Sequence, residues 1–236
     1  MEIYKIRINI HVKFNGISET ERKPAVSDIN VKETILPKVT VILRGYETNQ
    51  VMCVAEQLVG TKVNSIEVAS NSPHVAESIA AARKEFGSEV HVGAGTVTTV
   101  ERAKAAIAAG AEFMLSPIMF SEEIFVEAKA ANVITVPAAF SPSEIQRMFD
   151  MGADIVKVFP AGQLGPDYIK AVQAPLGKLP LMAVGGVSTG NVQSYFDKGA
   201  TYAGIGSGIF DPKDIEECNS ANLAASIKKL EENINW

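Results

Sequence analysis

A chain of 236 residues is long enough for one large core, and several folds of this size are built as a single domain. Its 47% hydrophobic and 21% charged content is that of an ordinary globular protein, and a net charge of −5 supplies neither a basic footprint for nucleic acid nor an attraction to an anionic membrane. Cys53 and Cys218 stand far apart without CxxC spacing, which argues against a disulfide framework or a structural zinc site and for reduced thiols.

The chain begins with MEIYKIRINIHVKF, in which Ile6, Ile8, Ile10, Val12 and Phe14 alternate with charged or polar residues, and Asn15-Gly16 follows as a turn. Residues 1–26 are therefore expected as an extension, a strand or hairpin added to a barrel domain over 27–236. The alternation suits either pairing with another subunit or an internal plug. The charges deny it the apolar core of a signal peptide, and no later run is long enough to span a bilayer, so a cytoplasmic protein is expected. SDINVKETILPK, residues 27–38, reads as a short helix closing the barrel floor, capped by Ser27 or Asp28.

From residue 38 onward, eight short runs read as strands: KVTVIL, NSIEVA, EVHVG, EFMLS, VITV, DIVKVF, PLMAV and TYAGIG. A stretch of helical period follows nearly every one, the clearest being HVAESIAAARKEF and VERAKAAIAA. Such alternation means parallel strands joined by crossover helices. Gly110, Gly152 and Gly199 each precede alanine between a helix and a strand, where a left-handed helix terminus favours glycine. Eight βα units in about 200 residues predict an α/β fold, a (β/α)8 TIM barrel. An open doubly wound sheet is the alternative, but its dinucleotide fingerprint is absent.

In a parallel barrel, strand residues alternate between the interior and the helices. Placing Val156 and Val158 outward turns Ile155, Lys157 and Phe159 inward. The same choice turns Glu67 inward between Ile66 and Val68, and points Arg44 inward at the end of the first strand. A buried ammonium is costly, so burial beside Arg44 favours the neutral amine, a nucleophile toward carbonyls. Lys157 and Glu67 read equally well as a buried ion pair that fixes register. All three charges lie toward strand C-termini, the face where barrel enzymes place chemistry, and that position favours function.

Gly93, Ala94 and Gly95 end the third strand with small residues that let a ligand approach the backbone, and the Thr96 hydroxyl that follows is a donor for a carboxylate. Thr98 or Thr99 caps the next helix. Ser141, Pro142 and Glu144 form a capping box. After the seventh and eighth strands, AVGGVS and GIGSGIF predict an anion site at Gly185, Gly186, Gly206 and Ser207, with Asn191 too remote to join it. His11, His74 and His91 lack metal spacing, and no metal is expected to drive the reaction; His91 is expected to pack in or against the third strand.

In order along the chain, ILRG, IEVASNSP, VGAGTV, LSP, KVFPA, LGPDYIKA, AVGGV and GIGSGIF resemble the 2-keto-3-deoxy-6-phosphogluconate (KDPG) and 4-hydroxy-2-oxoglutarate (KHG) aldolases, from about residue 36 to residue 212. The resemblance implies a class I pyruvate aldolase on a (β/α)8 barrel, without a cofactor and usually a homotrimer. It implies Lys157 as the imine-forming lysine and Glu67 as the general acid/base. Arg44, Asn71, Thr96, Pro117 and Phe159 become substrate-binding, and Gly185, Gly186, Gly206 and Ser207 phosphate-binding. Where the phosphogluconate type has a second-strand arginine this chain has Asn71, a departure that looks like the phosphogalactonate branch. The expected substrates are pyruvate and a phosphorylated aldehyde, with neither nucleic acid nor membrane as partner. Two rivals use the same barrel. One is a phosphosugar isomerase or epimerase with Glu67 as base, the other a non-catalytic phosphosugar-binding protein.

Overall fold

The computed structural model describes residues 35–236. The strand, hairpin and turn expected before residue 27, the domain boundary at 26/27 and the helix start at Ser27 or Asp28 lie outside the described residues; Ile35–Lys38 run without helix into the first strand.

The strands are β1 Val39–Leu43, β2 Ser65–Ala69, β3 His91–Gly95, β4 Phe113–Leu115, β5 Ile134–Val136, β6 Ala138–Ala139, β7 Val156–Val158, β8 Leu181–Val184 and β9 Tyr202–Ile205. They form one parallel sheet in the order β5-β4-β3-β2-β1-β9-β8-β7-β6. Segments β5 and β6 flank Pro137, which has no N–H to give a ladder. The pair serves as one barrel strand. Backbone bonds from Ile155 N to Thr135 O, Lys157 N to Pro137 O and Phe159 N to Ala139 O close the sheet across it. All eight expected strands are present, and the barrel is the fold.

Helices α1 Thr48–Leu58, α2 Val75–Phe86, α3 Val100–Ala108, α4 Glu122–Ala130, α5 Pro142–Asp150, α6 Ala161–Leu164, α7 Pro166–Leu176, α8 Val192–Asp197, α9 Pro212–Glu216 and α10 Ser220–Glu232 surround it. Several boundaries follow from capping chemistry. The Thr99 hydroxyl accepts from Arg102 N, and Ser141 and Glu144 exchange bonds as a capping box. Gly110, Gly152 and Gly199 have φ of +86°, +97° and +97°, the left-handed geometry expected of them.

Two apolar layers result. Val39, Val41, Leu43, Ile66, Val68, Val156 and Val158 pack outward with the helices, whereas Leu36, Phe113, Leu115, Val136, Ile155, Met182, Val184 and Tyr202 fill the barrel. This is the inward–outward division expected from the period-two pattern.

The cysteines correct the sequence reading. Cys53 on α1 and Cys218, just after α9, form a disulfide with Cα atoms 5.7 Å apart. A separation of 165 residues carries no local signal for such a bond. Closure of the barrel creates the proximity, because the terminal helices α9 and α10 pack on α1.

Candidate active site

Lys157 lies in the middle of β7 and is 5% exposed; Glu67, in the middle of β2, is 2% exposed. Both point into the barrel between outward-packed neighbours. Among the described residues no ion pair joins them, and Glu67 Oε2 has no hydrogen-bond partner. Burial pulls the Lys157 amine below its ordinary pKa, Glu67 opposes that shift, and Arg44 adds to it. Burial likewise pushes the Glu67 carboxyl up, against the charges of Lys157 and Arg44. Desolvation is the larger cause at both groups, so burial shifts each of them toward its uncharged form.

Arg44 follows β1 and donates through Nη1 to Asn71 Oδ1 at 2.5 Å and to Thr96 Oγ1 at 3.2 Å. Thr96 sits at φ +56°, a conformation that costs a residue with a Cβ. Arg102 holds it there, donating to Thr96 O at 3.0 Å and Thr98 Oγ1 at 2.9 Å. Because Thr96 Oγ1 accepts from Arg44, its own proton remains available to an acceptor in the mouth. The next residue of the β2–α2 loop ties the same two loops together, since Gly45 N donates to Ser72 Oγ at 2.8 Å. Asn71 thus acts here as the partner that orients Arg44, a role the sequence pattern alone did not reveal. The Phe159 ring lies with its centroid 4.8 Å from Lys157 Nζ, and Pro117 follows β4 at the same end of the barrel.

Gly185 and Gly186 have φ of +87° and +78°. A Cβ on Gly185 would stand 3.0 Å from the Phe159 ring, and one on Gly186 3.0 Å from Gly162 Cα. Gly206 and Ser207 follow β9 beside them, and Thr189 N donates to Gly208 O at 3.1 Å, linking the two loops. Asn191 is not remote from this cradle: its Nδ2 donates to Gly186 O at 2.9 Å and its Oδ1 accepts from Ser188 N at 2.8 Å. It braces the loop that carries the cradle, through a five-residue reach back to Gly186 that the sequence reading missed.

The inward faces of Gly93 and Gly95 are not open to a ligand as expected. A Cβ on Gly93 would lie 2.3 Å from the Phe113 ring, and the space over Gly95 holds the Glu67 carboxyl. His91 opens β3 and faces Glu112 at 3.3 Å, while His74 contacts Glu47 and Glu77 at the surface. Among the described residues no three His, Cys, Asp or Glu side chains gather as a metal site. A cavity of about 840 Å³ bordered by Ile35, His91, Glu112 and Asp154 lies at the opposite end of the strands and contains none of these site residues.

A closed parallel barrel that gathers a buried amine, a buried acid, an oriented guanidinium and a glycine cradle at its C-terminal mouth defines the class: a (β/α)8-barrel enzyme with a small-molecule site. Comparison supplies the family. The family model described as "Aldolase: KDPG and KHG aldolase" matches residues 29–226, and the chain belongs to that family. It is an aldolase, a carbon–carbon lyase.

The chain is 29% identical to the 2-dehydro-3-deoxy-6-phosphogalactonate aldolase of Escherichia coli K12 over 201 residues, 85% of this chain and 97% of that protein. It is 35% identical over 189 residues to a Rhizobium meliloti protein named "Probable 2-dehydro-3-deoxy-6-phosphogalactonate aldolase", covering 78% and 89%. A solved structure titled "Native KDPGal structure" superposes with a TM-score of 0.75 at 29% identity, covering 85% of this chain and 97% of that one.

Proposed function

We propose that the protein is a class I aldolase that cleaves a 2-keto-3-deoxy-6-phospho-sugar acid to pyruvate and glyceraldehyde 3-phosphate through an imine on Lys157. The neutral amine adds to the C2 ketone, and the carbinolamine loses water with Glu67 shuttling the proton. The Glu67 carboxylate then takes the C4 hydroxyl proton as the C3–C4 bond breaks. Its electrons pass through C3 and C2 to the iminium nitrogen, leaving an enamine and the free aldehyde. Glu67 returns a proton to C3, and water releases pyruvate and regenerates the amine. Arg44 and Thr96 hold the substrate carboxylate, Phe159 and Pro117 wall the pyruvyl unit, and Gly185, Gly186, Gly206 and Ser207 take the phosphate. This chemistry calls for no cofactor.

The observation that carries this reading is a Lys157 amine that is buried, lowered in pKa and free of an ion pair with Glu67. A lysine serving only to fix barrel register would be expected to pair with the acid. Asn71 in place of a substrate-holding arginine, with the names of the two relatives, favours the phosphogalactonate-type substrate over the phosphogluconate type. The proposal extends to unphosphorylated 4-hydroxy-2-oxoglutarate, split to pyruvate and glyoxylate, as a second substrate, a reading supported by the KHG aldolase named in the family description.

A homotrimer is part of the proposal. Ile118 and Met119 between β4 and α4, and Phe140 just after β6, are 53%, 37% and 48% exposed on segments joined through the Ala138 N to Ile118 O bond, an apolar surface suited to another copy. No helix of the described residues is long and apolar enough to cross a membrane. We assign the enzyme to the cytoplasm on the grounds that its proposed phosphorylated substrates are intracellular metabolites.

Incubation with pyruvate and sodium borohydride, followed by intact-mass and peptide mass spectrometry, tests the mechanism. A reduced pyruvyl adduct on Lys157 is expected. Folded protein without an adduct would overturn it and favour an isomerase or a phosphosugar-binding protein.

A further inference from the structure

We propose that Gly95 is a positioning residue for Glu67: the missing side chain at this one position of β3 provides the space in which the Glu67 carboxyl is held. A Cβ built on Gly95 falls 1.2 Å from Glu67 Oε1, 2.1 Å from Cδ and 2.8 Å from Cγ. No rotation of a terminal torsion clears three successive atoms of one side chain. The backbone cannot retreat instead, because Gly95 is paired with Ala69 across the β2–β3 ladder and its carbonyl accepts from Ser70 N at 2.7 Å. Nor does its conformation demand glycine, since Gly95 is absent from the positive-φ residues and lies in ordinary strand geometry. The three nearest atoms a side chain would meet all belong to Glu67.

Glu67 depends on such a steric seat because it lacks a hydrogen-bonded one. Among the described residues its Oε2 has no partner, so the packing around it sets where the carboxyl rests. A methyl group at position 95 pushes the carboxyl from its seat while leaving its chemistry intact. The neighbouring inward glycine of β3 serves a different side chain: Gly93 makes room for Phe113.

The kinetic consequence rests on the aldolase reading. In D2O the enzyme should exchange the C3 hydrogens of pyruvate: the carboxylate of Glu67 removes one from the pyruvyl iminium to give the enamine, then returns a deuteron. Gly95→Ala is expected to slow this exchange, followed by proton NMR, by about 100-fold, the scale of a lost general acid/base. Glu67→Gln should slow it by at least as much, and the double variant should be no slower than Glu67→Gln alone. Exchange by Gly95→Ala within about twofold of wild type, or multiplied losses in the double variant, would overturn the proposal.

A thermal cycle tests the same contact without catalysis. Gly95→Ala should lower Tm, whereas adding it to Glu67→Ala, which lacks the three nearest colliding atoms, should change Tm by less than about 2 °C. An equal loss in both backgrounds would overturn the proposal by placing the requirement for glycine elsewhere. If this cycle holds while wild-type protein neither exchanges pyruvate hydrogens nor traps an adduct, positioning stands and the aldolase mechanism falls.

Discussion

Replacing Asn71 by Ala isolates the guanidinium that is proposed to hold the substrate carboxylate. Arg44 Nη1 donates to Asn71 Oδ1 at 2.5 Å and to Thr96 Oγ1 at 3.2 Å, so the substitution removes the shorter of its two side-chain bonds. A hydrogen bond to a charged group contributes roughly 1.5–3 kcal/mol. Both partners are exposed, and solvent screening reduces that figure to about 1 kcal/mol. Loss of orientation on that scale weakens binding about fivefold, since 1.36 kcal/mol is a factor of ten. The assay couples pyruvate release to lactate dehydrogenase and reads KM and kcat separately for the phosphorylated sugar acid. KM is expected to rise about fivefold while kcat and borohydride trapping at saturating pyruvate stay near wild type. An unchanged KM would show that Thr96 alone fixes Arg44, and a fall confined to kcat would place Asn71 in the chemistry.

Glu67 raises the Lys157 pKa and Arg44 lowers it, so Glu67→Gln should move the acid limb of pyruvate trapping to lower pH and Arg44→Gln should move it to higher pH. Shifts in the same direction would contradict the assignment of charges around the amine. Lys157→Met should abolish turnover and alter the pH dependence of stability. The native state binds fewer protons than the unfolded chain between the lowered Lys157 pKa and its ordinary 10.5, so wild-type stability gains from rising pH across that window and the variant loses this component. Denaturant titrations at a series of pH values read the difference, and parallel curves for the two proteins would refute it. Oxidised native protein should show no reactive thiol, and Cys53→Ser/Cys218→Ser should be less stable. Closing 165 residues gives a chain-entropy ceiling of about 5 kcal/mol, or about 10 °C in Tm for a chain of this length. Two thiols titrating in untreated native protein would remove the bond, and rapid alkylation in cells would report the redox compartment.

The sequence disclosed what depends on periodicity within one strand. Alternation around Lys157 and Glu67 was enough to turn both inward, and Gly110, Gly152 and Gly199 marked where helices end. What it concealed depends on register between strands or on closure of the whole ring. Gly95 reads as a place for ligand to approach until the side chain of Glu67, diagonal to it across the β2–β3 ladder, fills that space. Asn71 reads as a substrate-binding residue in an arginine's place until its loop meets Arg44. Cys53 and Cys218 read as unrelated thiols until the last helices return to the first. Asn191 reaches back to Gly186 only because the turn after β8 curls through two left-handed glycines.

The division of the barrel interior explains how an unpaired amine and acid are accommodated. Phe113, Ile155, Met182 and Tyr202 occupy the inside as large apolar groups, and Thr40 and Ser65 satisfy each other by a 3.0 Å hydroxyl contact. These residues close the interior beneath the site and let Lys157 and Glu67 remain nearly fully buried. Toward the mouth, β3 and β9 present Gly93, Gly95 and Gly204, and the volume they omit is taken by side chains from neighbouring strands. At Gly95 the omitted volume holds Glu67. Direct ion pairing of Lys157 with Glu67 would relieve their desolvation but restore the ammonium, which cannot attack a carbonyl. Low polarity around the pair and separation enough to avoid an ion pair therefore act together, and Gly95 in a third strand leaves the space that the Glu67 carboxyl occupies.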